Sequence, residues 1–164
     1  MVMSLMKLAV DEFLRPLVQR PCLLQVAALC VRGSESGPEI LLVTSRGRGR
    51  WIIPKGWPEA GMDAVSAARR EAWEEAGVTA DPAATAPFAR YRTVKRRESG
   101  LEEPCEMLVF RFDVTSVASE FPEKGQRQIT WASPAAAAEL VDEPGLRDIL
   151  RRVGAPAAAP PRAE

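Results

Sequence analysis

Between Asp63 and Gly77 the chain carries the pattern that most restricts its fold. Val65, Ala68, Ala72 and Ala76 recur at helical spacing, and side chains this small let the face they form lie close to a sheet. Asp63 reads as an N-cap and Gly77 as the C-terminal stop, so the spacing predicts a helix from about 63 to 76. Glu71, Glu74 and Glu75 project together from about one turn of that helix. Three clustered carboxylates repel one another unless a hard divalent cation lies among them. Mg²⁺ takes oxygen ligands and keeps positions for water and phosphate oxygens, so the cluster suggests a phosphate-handling metal site.

Around this helix, strand and helix signals alternate. Leu23 to Arg32 is apolar enough for a buried strand, Gly33 to Pro38 is a turn, and Glu39 to Thr44 is its hairpin partner. A glycine-arginine loop follows from Arg46 to Arg50, then the short apolar run Trp51 to Ile53, then a loop over Lys55 to Pro58. Phe88 to Val94, Met107 to Thr115 and Gln128 to Ala132 read as further strands. Ser133 caps a helix through about Val141, and Leu146 to Val153 forms a last one. The mixed order with hairpins gives an α+β fold class. Residues 1–19 are expected to form an amphipathic helix or extension, with Leu5, Leu8, Phe13 and Leu17 on one face, docked on the same domain or on a second copy. Residues 20–153 make one domain, and 154–164, rich in Ala and Pro, are expected to be a disordered tail.

Composition removes several chemistries. The 164-residue chain has no histidine, which excludes Ser-His triads, imidazole acid-base catalysis and His-ligated zinc. Carboxylates and water remain as tools. Lys plus Arg and Asp plus Glu are equal at 22 each, so no global field points to nucleic acid or an acidic membrane. Cys22, Cys30 and Cys105 lack CxxC spacing and leave one unpaired, which fits small core residues in a reducing compartment. The N-terminus has neither an uninterrupted signal-type apolar region nor a membrane span.

The segment from Gly56 to Val78 resembles the Nudix box. Gly56 takes its first position, and Arg70, Glu71, Ala72, Glu74, Glu75, Gly77 and Val78 fill its final block in register. One position departs: Met62, six residues after Gly56, stands where the family has a glutamate that braces the loop. A solvated helix face is the duller account of the three glutamates, and the register with Gly56, Arg70 and Gly77 argues against it. The resemblance implies a mixed β-sheet sandwiched between α-helices. It implies Mg²⁺, with Mn²⁺ as a substitute, held by Glu71, Glu74, Glu75 and the Gly56 carbonyl. It also implies that Arg70 orients a metal-binding glutamate, and that a box glutamate or a later loop glutamate takes the proton of the attacking water. Glu74, Glu75, Arg70 and Glu123 are therefore the catalytic candidates. Glu120 is an alternative to Glu123, and an uninvolved loop residue is the bland reading of either.

Arg46, Arg48 and Arg50 precede Trp51, Lys55 follows it, and Lys95, Arg96 and Arg97 form a second basic run. Such runs are ordinarily solvated faces, but two of them near a metal loop can converge on a polyanion, whose phosphates guanidinium groups match in bidentate geometry. Trp57 either stacks on an adenine or covers apolar surface. From Arg20 to Val153 the chain is similar to the diphosphoinositol polyphosphate and diadenosine polyphosphate hydrolase branch of Nudix enzymes. Leu41 to Ser45, Arg50 to Pro54, Glu123 to Arg127 and Trp131 carry that likeness, and Lys55-Gly56-Trp57 departs from it. Arg46, Arg48, Arg50, Lys55, Lys95, Arg96 and Arg127 are the substrate-binding candidates. The expected function is Mg²⁺-dependent hydrolysis of a diphosphate linkage in a nucleoside or inositol polyphosphate, in the cytoplasm, by a monomer or homodimer. The alternative is a Nudix-fold sensor that binds such a ligand without cleaving it. A membrane partner is not expected, and neither is nucleic acid, since one Tyr and no aromatic-basic interleaving give little for bases to stack on.

Overall fold

The computed structural model describes residues 22–96 and 100–154. The expected N-terminal helix, Arg97 and nearly all of the Ala/Pro-rich tail lie outside the described residues. The apolar run at the start becomes β1 (Leu23–Ser34), which is buried on both faces through its centre. Val26, Ala28 and Cys30 point into one core and Ala27, Leu29 and Val31 into the other, as the period of two requires. β1 turns into β2 (Gly37–Thr44), and two short strands follow, β3 (Trp51–Ile52) and β4 (Lys55–Gly56). Then come α1 (Ala64–Ala76), β5 (Val78–Pro82), β6 (Ala89–Arg96), β7 (Glu102–Val117) and β8 (Ile129–Ala132). Two helices complete the fold, α2 (Pro134–Leu140) and α3 (Pro144–Gly154).

These strands form one mixed sheet in the order β3-β2-β1-β7-β5. β4 joins β1, β6 joins β7 and β8 joins β2. β1 and β7 run parallel from Leu23 opposite Cys105 to Val31 opposite Asp113, and the other named pairs are antiparallel. On one face Ala67, Ala68, Ala72 and Ala76 of α1 meet Val26, Ala28, Phe110 and Phe112. Facing the other side, Ala137 and Ala138 of α2 and Leu146, Ile149 and Leu150 of α3 meet Leu29, Leu42 and Val109. The α+β sandwich expected from the sequence is the architecture found.

α1 follows its sequence signals. Asp63 Oδ1 accepts from the Ser66 amide at 2.9 Å, and the Gly77 amide closes the last turn on Trp73 O at 2.8 Å. Gly77 has φ +67°, and a Cβ there would press on the Phe121 ring, so glycine suits the stop on both counts. Cys30 and Cys105 are buried as expected, with burial pushing the Cys30 thiol up to about 12, but Cys22, just before β1, is exposed and is no core residue. Two strands depart from the sequence expectation: Lys55–Gly56, expected as loop, pairs with Val26 and Ala27 as β4, and β5 has no counterpart in it. Only Val78 and Ala80 of its five residues are buried, and it ends on a proline, which is tolerated because β5 is the edge strand.

Candidate active site

The pairing of β4 with β1 sets Val26 opposite Gly56, which draws the loop after β3 down beside α1. There the Glu71 carboxylate occupies the space that a Cβ on Gly56 would fill. Any other residue at 56 would push Glu71 away. Glu75 is buried, with one carboxylate oxygen paired to Arg127 Nη2 and the other, Oε2, without a hydrogen-bond partner. Burial pushes the Glu75 carboxyl up to about 7, against the pull of Arg127 and with help from the nearby Glu71 charge. Glu71 is raised as well, first by burial and then by Glu74. Glu74 Oε1 accepts from Arg70 Nε at 2.6 Å, and Arg70 Nη1 reaches Glu59 Oε2 at 2.6 Å. Arg70 is thus held between two carboxylates.

The loop before β8 closes the other side. The Glu123 amide donates to Glu74 O at 3.0 Å, so this loop is tied to α1 by its backbone. The Glu123 side chain accepts from Arg46 Nη2 on one oxygen and from Arg127 Nε at 2.9 Å on the other. Arg127 also donates from Nη1 to Thr44 O at 2.9 Å. All three of its nitrogens are engaged and its side chain is enclosed, so it clamps Glu75, Glu123 and β2 together beneath the site. Glu120 lies apart, four-fifths exposed and paired with Lys124 at 2.5 Å.

Glu71, Glu74, Glu75, Glu123, Arg127, Arg46, Gly56 and Trp57 line a cavity of about 490 Å³. A second cavity of about 410 Å³ is lined by Arg48, Arg50 and Arg96. The two meet along Gln25, Ser45, Gly47, Ile52, Lys55 and Lys95, making one cleft with an acidic and a cationic end. The first basic run sits on a loop closed by Ser45 N to Arg50 O at 2.8 Å and Gly49 N to Ser45 O at 3.0 Å, with Gly49 at φ +62°. Among the described residues Arg48 and Arg50 have no ion-pair partner. Lys55 is tied to Glu143 at 3.2 Å, and the Tyr91 hydroxyl donates to the other oxygen of Glu143 at 2.9 Å. Arg96 pairs with Glu102, and Lys95 lies 5.5 Å over the Trp57 ring. The described basic candidates therefore gather at one cleft.

Three contributors escaped the sequence reading. Gln25 on β1 is almost wholly buried, makes no side-chain hydrogen bond among the described residues, and lines both cavities. Nothing in Leu23 to Arg32 marks it except a polar residue inside an apolar strand. Glu143 and Glu59 lie in loops and are recognisable only by their partners.

The donors present fit a hard divalent cation. They are all oxygens, Glu75 Oε2 is buried without a partner, and the Glu71 carboxylate is seated over Gly56. Among the described residues no three acidic side chains are placed together to hold an ion; Arg70 takes Oε1 of Glu74 and Arg127 takes Oε1 of Glu75, which leaves the Oε2 atom of each.

A NUDIX domain profile matches residues 23–153. The chain belongs to the NUDIX domain family. Over 110 residues it is 29% identical to Nudix hydrolase 13, mitochondrial, of Arabidopsis thaliana, covering 65% of this chain and 54% of that protein. The NUDIX chain thus spans about half the length of that curated relative. Among solved structures, a NUDIX hydrolase from Nitrosomonas europaea superposes with a TM-score of 0.62 at 20% identity, over 82% of this chain and 90% of that one. The C. elegans Ap4A hydrolase superposes with a TM-score of 0.57 at 17% identity, over 81% and 96%. Both likenesses are of fold.

Proposed function

We propose that this NUDIX domain hydrolyses a diphosphate linkage in a polyphosphorylated small molecule, of the diadenosine polyphosphate or diphosphoinositol polyphosphate type. One observation carries the reading: a carboxylate cluster suited to a divalent cation shares a single cleft with a cationic wall on which, among the described residues, Arg48 and Arg50 have no ion-pair partner. Glu71, Glu74, Glu75 and the Gly56 carbonyl would hold Mg²⁺ or Mn²⁺. When bound, such an ion neutralises diphosphate charge and acidifies a coordinated water.

The chain's own groups supply the rest. Arg48, Arg50, Lys95 and Arg96 hold phosphates that do not react, and preorganised positive charge of this kind stabilises the charge that builds on the leaving phosphate. Arg46 is available to the same phosphates once it leaves Glu123. Water oxygen bonds to phosphorus, the bridging P–O bond breaks, and the proton passes to a carboxylate of the cleft. Of Glu74, Glu75 and Glu123, Glu75 alone has an oxygen both buried and unpaired, and that oxygen would serve the ion, which leaves the proton to Glu74 or Glu123. Glu123 can take the proton only after Arg46 moves off. Trp57, half-exposed, beneath Lys95 and lining the acidic cavity, would cover the ligand there.

The diadenosine polyphosphate possibility draws on the name of the C. elegans neighbour and on the residues from Leu41 to Pro54. Cytoplasmic residence belongs to this reading too, although the Arabidopsis relative is named as mitochondrial. Among the described residues no helix is long and apolar enough to cross a membrane. The test is a panel of diadenosine polyphosphates, ADP-ribose, nucleoside triphosphates and diphosphoinositol polyphosphates with Mg²⁺ or Mn²⁺, followed by phosphorus NMR. Turnover of a polyphosphorylated member, lost in Glu74→Gln and Glu75→Gln, supports the proposal. Binding without new phosphate resonances favours the sensor instead.

A further inference from the structure

The first box glutamate is replaced by Met62, yet Arg70 is not left without a partner on that side. Its Nη1 donates to Glu59 Oε2 at 2.6 Å while Nε donates to Glu74 Oε1 at 2.6 Å. The backbone explains how a carboxylate three residues before Met62 comes to the Arg70 guanidinium. The Met62 amide donates to Glu59 O at 3.2 Å, and Gly61 between them has φ +83°, which are the marks of a tight turn with glycine at its left-handed position. Such a turn brings the backbones of its first and last residues within about 7 Å. Residues 59 and 62 therefore enter the loop side by side. Met62 is freed to pack against the core beside Ala64 and Val65.

We infer that Glu59 has taken over the bracing role of the missing box glutamate, acting as a positioning residue that fixes Arg70 and, through it, the Glu74 carboxylate. The inference rests on the metal-site reading above. The Glu59 and Arg70 side chains are each about half exposed, so their pair contributes little to folding. Its effect is on orientation. A guanidinium held from both ends presents Nε to Glu74 in one direction, and a partner that orients a ligand in this way is commonly worth ten- to a hundred-fold in metal affinity, about 10–100. Asp63 cannot substitute, since its carboxylate is committed to the Ser66 amide and hydroxyl at the helix cap.

The test is Mn²⁺ binding to the purified full chain, followed by calorimetry and by the electron paramagnetic resonance of free Mn²⁺. Wild type, Glu59→Gln, Met62→Glu and the double variant are compared. Glu59→Gln is expected to weaken Mn²⁺ binding roughly ten-fold with the metal-free melting temperature unchanged. The double variant is expected to regain most of the loss, because a carboxylate returns to the other end of the same turn. Equal Mn²⁺ affinity in wild type and Glu59→Gln overturns the inference while leaving the metal site intact. A loss in Glu59→Gln that Met62→Glu does not rescue also overturns it, since the defect then lies outside the brace. Wild type that binds no Mn²⁺ removes the metal-site reading, and the role of Glu59 goes with it.

Discussion

Replacing Glu75 by glutamine probes the charge buried at the centre of the site. The residue is 3% exposed, and burial holds its carboxyl at about 7 instead of the ordinary 4.5. A folded-state value above the unfolded one means that the fold favours the protonated acid. The penalty for ionisation is therefore absent below about 4.5, grows as the pH rises, and is complete above about 7. The gap from 4.5 to about 7 corresponds to about 3 kcal/mol. Glutamine has nearly the same shape, keeps an oxygen for Arg127 and never ionises, so the metal-free variant escapes that penalty. The figure is a ceiling, because Arg127 exchanges one of its two carboxylate partners for a neutral amide. In urea unfolding with a chelator present, the variant should exceed wild type by up to about 3 kcal/mol at pH 8 and by under about 1 kcal/mol at pH 5. The same comparison in a calorimeter corresponds to a rise on the order of 6–12 °C at pH 8. Stability curves that stay parallel across this range would refute the reasoning, since the Glu75 charge would then cost the fold nothing.

Other outcomes follow from the same geometry. Gly56→Ala forces Glu71 off its seat, and because the clash is with the end of a flexible side chain, the melting temperature should hold within about 2–4 °C while Mn²⁺ affinity falls by roughly ten-fold or more. Arg48→Ala and Arg50→Ala should each raise KM for a polyphosphorylated substrate by roughly ten-fold with kcat little changed, an effect that shrinks in high salt and is read from steady-state kinetics. Leu29→Ala removes a fully buried side chain from the face that meets α2 and α3, and equilibrium denaturation should show a loss of about 2–5 kcal/mol.

α1 was legible from sequence almost residue for residue, because its cap, its stop and its alanine face are all local signals. The centre of β1 was legible for a different reason: an uninterrupted apolar run has to be buried on both faces. Two basic runs far apart in the chain were expected to converge, and the sheet brings them to one cleft. Hidden from sequence were the contacts that depend on register and loop geometry. Its position in the chain puts Arg127 among the substrate-binding candidates, while the fold buries it as a clamp on Glu75, Glu123 and Thr44. Glu143 fixes Lys55 from a loop 88 residues away, which no local pattern announces. Glu59 is the most instructive case. The motif directs attention to position 62, and only the turn through Gly61 shows that position 59 reaches the same arginine.

The central claim is that Glu71, Glu74 and Glu75 grip a divalent cation beside the Gly56 carbonyl. Anomalous diffraction from a crystal soaked in Mn²⁺ addresses it directly. A peak among these three carboxylates is expected, with Glu74 keeping Arg70 on Oε1 and turning Oε2 to the ion, and with Glu75 Oε2 within bonding reach. A peak elsewhere in the cleft, or none at a concentration that saturates binding in solution, would contradict it.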